Sequence, residues 1–265
     1  MTSIDEQLIK TEVEINKMQK AGSVNALVLE EIKSMIKPGI TTKELDTAAE
    51  TIIHDHGGIP TFKGYPGPYP YPATLTISIN EEMVHGIPSG RILEEGDIVS
   101  VDCGTTLDGF IGDSAFTHGV GEIGKEKKRL ILVTEQSLYK GIEQMLPGKH
   151  IGDVSAAIQD HVESHGFHVP RKYTGHGVGK NMHEPPQVPN YGIPRQGLLL
   201  REGMTIAIEP MVLVGTPKTR VLSDQWTVIS ADHSLTAHYE HTVAVTKNGP
   251  LILTRLRDEK KTEVP

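Results

Sequence analysis

Residues 38–57 read Pro-Gly-Ile-Thr-Thr-Lys-Glu-Leu-Asp-Thr-Ala-Ala-Glu-Thr-Ile-Ile-His-Asp-His-Gly, and residues 147–166 read Pro-Gly-Lys-His-Ile-Gly-Asp-Val-Ser-Ala-Ala-Ile-Gln-Asp-His-Val-Glu-Ser-His-Gly. An offset of 109 positions aligns Pro38-Gly39, Leu45, Ala48, Ile53 and His56-Gly57 with Pro147-Gly148, Val154, Ala157, Val162 and His165-Gly166. This offset is far longer than the period of a solenoid, so it marks an internal duplication. In each copy a Pro-Gly pair stops one helix, and a Gly after a His stops the next. In the first copy Thr41-x-x-Glu44 forms a capping box, with Leu45, Ala48, Ile52 and Ile53 on one face behind it.

Working outward, the spacing predicts a long helix before each copy, over about 11–37 and 125–145, and a fourth helix over about 153–165. Strands follow each helix pair. The expected architecture is α+β: two similar halves, each with helices covering one side of a sheet, and a site between them.

Between the copies, Ile98, Val99 and Val101 lead to Asp102, and Asp108-Gly109 signals a two-residue hairpin turn before Asp113. Opposite partners then have numbers summing to 217, which sets Asp113 across from Gly104, on the same side as Asp102. Asp108 itself is a turn former. In Met204–Glu209 the alternation puts Glu209 with Thr205 and Ala207, away from Ile206 and Ile208, and Glu240 stands in a further strand-like run. Acids held on apolar strands repel one another unless a cation joins them.

Thirteen histidines occur, and His54, His56, His161, His165 and His168 read as surface residues of helices and their ends. His85, His176 and His183 instead lie in glycine- or proline-rich settings. The glycines around His176 do not match a dinucleotide loop, and no His-Glu-x-x-His zinc helix occurs. Asp102, Asp113, His176, Glu209 and Glu240 make an oxygen-rich donor set whose four negative charges balance two divalent cations. That set suits Mn, Fe, Co or Zn and hydrolysis by an activated water.

Composition limits the alternatives. Across 265 residues, 26 Lys and Arg against 34 Asp and Glu leave a net charge of −8, which argues against a DNA-binding role. The basic stretch Lys125, Lys127, Lys128 and Arg129 reads as a solvated helix start. A single cysteine, Cys103, excludes internal disulfides and thiolate zinc clusters and reads as an inert core thiol. No run approaches the length of a membrane helix, and the charged first thirty residues do not read as a signal peptide. Tyr65-Pro-Gly-Pro-Tyr-Pro-Tyr-Pro72 cannot be a central strand; it is either a stiff connector or an aromatic pocket rim. The residues divide as a single domain over 1–254, with halves at about 10–120 and 121–254, and a flexible tail at 255–265.

From about Lys10 to Thr254 the chain resembles the type I methionine aminopeptidases, in their short bacterial-like form. The motifs are Ser78-Ile-Asn-Glu-Glu-Met-Val-His85-Gly-Ile-Pro88, Asp97-Ile-Val-Ser-Val-Asp102, Asp108-Gly-Phe-Ile-Gly-Asp113, Gly175-His176-Gly-Val-Gly179, His183-Glu-Pro-Pro, Ile208-Glu209-Pro210 and Tyr239-Glu240-His241-Thr242. The resemblance implies the pita-bread fold, and release of the initiator methionine from nascent chains, preferably before a small second residue. It implies that Asp102 and Glu240 bridge two metals, that Asp113 chelates one, and that His176 and Glu209 complete the other. It further implies that Glu209 accepts a proton from the attacking water, that His183 binds the scissile carbonyl oxygen, and that His85 serves the amide nitrogen side. Tyr65, Met182 and Trp226 correspond to the wall of the methionine pocket, where Met182 departs from the Phe of many relatives. Asn80 matches a position whose backbone helps to bind a monovalent cation such as Na or K. The implied setting is a cytoplasmic monomer meeting nascent N-termini, with transient contact at the ribosome exit. The alternatives are an Xaa-Pro peptidase of the same fold and a pita-bread binding module that has lost catalysis.

Overall fold

The computed structural model describes residues 8–256. The part of the expected tail from 257 to 265 lies outside the described residues, while Arg255 packs over the Tyr139 ring and donates to its hydroxyl at 3.3 Å. The first half comprises α1 (Glu12–Met35), α2 (Thr42–Asp55), β1 (Ile59–Pro60), β2 (Leu75–Ile79), β3 (Glu82–Val84), β4 (Ile98–Leu107) and β5 (Phe110–Gly119). The second comprises α3 (Lys125–Ile142), α4 (Ile151–Ser164), β6 (Thr174–Gly177), β7 (Glu184–Pro189), β8 (Thr205–Ile208), β9 (Met211–Leu213), β10 (Thr219–Val221), β11 (Val228–Ser230), β12 (Thr236–His238), β13 (Glu240–Thr246) and β14 (Gly249–Ile252).

The helix starts follow local chemistry. Thr41 and Glu44 exchange the two capping-box hydrogen bonds before α2, and Thr11 with Glu14 does the same before α1, a signal the sequence carries in the same form. The duplication is visible atom by atom. Gly39 and Gly148 take φ of 95° and 89°, a region open to glycine, and donate to Leu93 and Leu200 carbonyls respectively. At the helix ends, His56 Nδ1 meets Ile52 O at 2.8 Å and His165 Nδ1 meets His161 O at 2.7 Å. The two halves are thus pseudo-symmetric in backbone as well as in sequence.

Nine strands form one sheet along the path β1-β4-β5-β13-β8-β6-β7, with β2 added to β4 and β14 to β13. The halves join where β5 pairs antiparallel with β13, through Glu240↔Ala115 and His241↔Ser114. Among the described residues, helices α1 to α4 pack on one side. In the first half Leu29, Ile32, Leu45 and Ile53 meet Leu75, Val99, Val101 and Cys103. In the second, Leu130, Leu138, Val154 and Ile158 meet Ile206, Ile208 and Val243. Each large side chain so buried contributes about 1.5–3 kcal/mol. Cys103 is a buried thiol in this core, as its alternation with Asp102 predicts. Among the described residues no helix is long and apolar enough to cross a membrane.

Candidate metal centre

The β4–β5 hairpin sets the register of the site. Asp108 and Gly109 both take positive φ, 51° and 75°, as a type I′ turn requires. Leu107↔Phe110, Gly104↔Asp113 and Asp102↔Ala115 then face each other. Because Ala115 also pairs with Glu240, and Thr76 with Asp102, one row runs Thr76, Asp102, Ala115, Glu240 across four strands. Directly paired residues share a side of the sheet, so the carboxyls of Asp102 and Glu240 converge above the small Ala115. In the next row, the Thr242 hydroxyl accepts from Asp113 N at 3.1 Å and donates to Asp113 O at 2.8 Å, clipping β5 to β13. Thr242 pairs with Ala207, which pairs with His176, so the same row delivers the imidazole. Glu209 follows β8 directly.

Asp113, His176 and Glu240 offer donor atoms that all lie within 4.8 Å of one another, a spacing that suits one ion. His176 Nε2 stands 3.6 Å from Asp113 Oδ2 and 3.5 Å from Glu209 Oε1. His176 Nδ1 lies 3.0 Å from the Gly177 carbonyl, which can only accept, so the ring hydrogen sits on Nδ1 and the Nε2 lone pair faces the acids.

Without a counter-ion this arrangement is electrostatically unfavourable. Burial, joined by mutual repulsion, pushes the Asp102, Glu209 and Glu240 carboxyls well above the usual carboxylate range, and burial raises Asp113 to about 7. Burial also lowers His176 to about 3, leaving it neutral and fit to ligate. Asp102 Oδ1, Asp113 Oδ1, Glu240 Oε1 and His238 Nε2 are buried with no hydrogen-bond partner among the described residues. Unsatisfied, crowded acids beside a free imidazole lone pair fit divalent cations by the chemistry of the donor set.

Asp102, Asp113, His176, Glu209 and Glu240 line a cavity of about 120 Å³ together with His85, His183, Tyr65, Met182 and Trp226, so these ten side chains singled out in the sequence meet in one place. The cavity wall also includes Tyr71, from the Tyr65–Pro72 stretch, and Phe62 and Thr76, which no sequence motif marks. Thr76 becomes a neighbour of Asp102 only through the long-range β2–β4 pairing, invisible in local pattern. His85 occupies the left-handed region at φ 62°, a strained conformation for a non-glycine residue, and burial with the nearby His183 lowers it to about 4. Tyr65 Oη lies 2.5 Å from His183 Nδ1, and burial raises the phenol, so it keeps its proton and donates. The His183 hydrogen is thereby left on Nε2.

The Tyr65–Pro72 loop is an aromatic rim rather than a bare connector. Tyr71 and Tyr69 meet the Trp226 ring edge-on at 5.1 and 6.2 Å, and a Cβ on Gly67 would sit 2.4 Å from the indole. Opposite, Glu184 accepts from Lys180 N and Asn181 N at 3.0 Å each and pairs with Lys10 Nζ at 2.8 Å. This buried ion pair closes the loop that presents Met182 and His183. Asn80, at φ 57°, turns its carbonyl toward the Thr236 hydroxyl at 3.1 Å, where the Glu82 carbonyl also converges at 2.8 Å.

A larger cavity, about 390 Å³, lies on the helix side of the same strands and includes Glu30, Lys33, Glu135, Tyr139, His241 and Arg255. None of its lining side chains carries a buried unsatisfied atom among the described residues.

The profile of metallopeptidase family M24 matches residues 16–247. The methionine aminopeptidase 1 of Bacillus subtilis is 49% identical over 94% of this chain and 99% of its own length. The methionine aminopeptidase of Clostridium acetobutylicum is 51% identical over 93% of this chain and 98% of its own length. The crystal structure of the methionine aminopeptidase from Thermotoga maritima, 48% identical, superposes with a TM-score of 0.91 over 93% of this chain and 98% of that one. Its likeness identifies the pseudo-symmetric, helix-covered sheet as the pita-bread fold. The chain belongs to metallopeptidase family M24, on the branch of the bacterial methionine aminopeptidases.

Proposed function

We propose that this protein removes the initiator methionine from nascent proteins and peptides by metal-dependent hydrolysis, preferentially where the second residue is small. The observation that carries this reading is the junction, in one cavity, of the four-carboxylate and imidazole cluster with an apolar slot. Asp102 and Glu240 would bridge two divalent ions, Asp113 would chelate one, and His176 and Glu209 would complete the other. Bound Co, Mn, Fe or Zn supplies Lewis-acid polarisation of the carbonyl and an activated water.

The chain's own residues do the rest. Glu209 takes the proton of the attacking water and returns it to the leaving amine. His183 donates from Nε2 to the carbonyl oxygen as charge develops there, oriented by Tyr65. His85 faces the amide side. Tyr65, Met182 and Trp226, with Phe62 and Tyr71, form a slot for a flexible unbranched thioether. The Asn80 carbonyl would help to hold a monovalent cation, Na or K.

Residues up to 254 act as one catalytic domain, with halves of about 10–120 and 121–254, working as a cytoplasmic monomer. Lys127 donates to the Gly96 carbonyl and Arg129 to the His165 carbonyl, so the side chains of that stretch left for ribosome contact are Lys125 and Lys128, the latter in an exposed ion pair with Glu122 at 3.6 Å. Charge reversal at both lowers ribosome affinity; an unchanged affinity removes the contact.

The test is release of free Met from Met-Ala and Met-Gly peptides beside an Xaa-Pro peptide, after chelation and resupply of Co, Mn, Fe or Zn. Metal-restored cleavage of the Met peptides alone is expected. Cleavage of the Xaa-Pro peptide instead overturns the slot assignment, and silence with every metal favours a binding module.

A further inference from the structure

His238 belongs to no motif quoted above, and its ring nonetheless lies beside the carboxyls of Glu209 and Glu240. It closes β12 two residues before Glu240, which sets both on one side of the chain. Its backbone is clamped: the N–H donates to Thr117 Oγ1 at 2.9 Å, and the Thr117 hydroxyl donates to its carbonyl at 2.8 Å. The side chain is 2% exposed, and its Nε2 has no hydrogen-bond partner among the described residues. That nitrogen stands 3.7 Å from Glu209 Oε2 and 4.0 Å from Glu240 Oε2.

The two oxygens of Glu209 therefore face different imidazoles. Oε1 lies 3.5 Å from His176 Nε2, whose lone pair is directed at the acids, so no hydrogen reaches Glu209 from that side. Oε2 lies beside His238. A packing role alone would be met by an apolar ring, and a buried imidazole nitrogen left unpaired costs stability.

We propose that His238 is a positioning residue for Glu209: its Nε2–H donates to Oε2, fixes the carboxyl plane and leaves Oε1 directed at the ions. A small rotation of the Glu209 side chain closes the remaining gap to hydrogen-bond length. The proposal rests on the reading of Glu209 as ligand and base. Such partners behind a ligand orient it and raise its affinity for metal.

The experiment uses chelator-stripped full-length protein, titrated with Mn by calorimetry, and then kcat and KM on a Met-Ala peptide. His238→Phe keeps the ring and loses the donor; His238→Gln keeps a donor of similar reach; His238→Asn keeps a polar group one methylene short. Mn affinity is expected to fall about 10- to 100-fold in the Phe and Asn variants, with kcat falling and KM held, while Gln recovers to within about threefold. Wild-type affinity in the Phe and Asn variants overturns the proposal, as does a Gln variant as weak as Asn. If Phe does not fold, the Gln against Asn contrast decides. The titration needs no turnover, so failure of the wild type to release Met counts against the aminopeptidase reading and leaves the His238 comparison intact.

Discussion

The two sides of the strands β4, β5 and β13 differ at every step along the chain. On the helix side Asn25 donates to Ser114 Oγ at 2.7 Å and accepts from Thr105 Oγ1 at 3.0 Å, and His241 Nδ1 lies 2.9 Å from Thr254 Oγ1. Asp113 and Glu240, one residue from Ser114 and His241, and Asp102, three from Thr105, carry buried oxygens with no partner among the described residues. Neighbours such as Asp113 and Ser114 share backbone, burial and strand, yet one closes its hydrogen bonds and the other leaves them open. The difference separates scaffold from site: a satisfied polar group holds a fold, and a cluster of unsatisfied ones awaits something positive.

Four changes probe that contrast. Asp113→Ala, on the open side, is expected to abolish Met release and weaken Mn binding while circular dichroism stays native; wild-type turnover would remove Asp113 from the centre. His183→Ala is expected to lower kcat by about 10²–10³-fold, the scale for one donor to a developing oxyanion. A rise in KM alone would make it a binding group. Third, pH separates the sides in chelated protein. The folded Asp113 carboxyl is raised to about 7, against about 3.9 when unfolded, so its contribution to stability falls as pH rises from about 4 to 7. The histidines held near 3 to 4 work the other way but are common to both proteins, so the melting temperature of Asp113→Asn should gain on wild type across that window; a gap independent of pH would contradict the burial of this charge. Smallest, on the helix side, Asn25→Ala is expected to cost about 1–3 kcal/mol of stability with kcat unchanged. A fall in kcat at full stability would mean that the two sides are not separable.

Much of this was legible because local chemistry repeats. The paired Pro-Gly and His-Gly stops announced two halves, and Asp108-Gly109 fixed a register that held to the residue, with Gly104 opposite Asp113. What escaped depends on contacts distant in sequence. Phe62 and Thr76 reach the cavity through loop packing and strand pairing that no short window contains. His238 was within reach, since two-residue alternation sets it beside Glu240, but it lacks the glycines that drew attention to His176. The basic run at 125–129 looked like one feature, whereas Lys127 and Arg129 bond backbone carbonyls at 96 and 165.

The central claim is that the open side exists to hold divalent ions. Crystals of the stripped protein soaked in Mn, with anomalous differences measured at a wavelength where Mn scatters, test it most directly. Two adjacent peaks reached by Asp102, Asp113, His176, Glu209 and Glu240 are expected, with no peak in the helix-side cavity. An empty map at those five residues, or ions bound only beside Glu30 and Glu135, would contradict it.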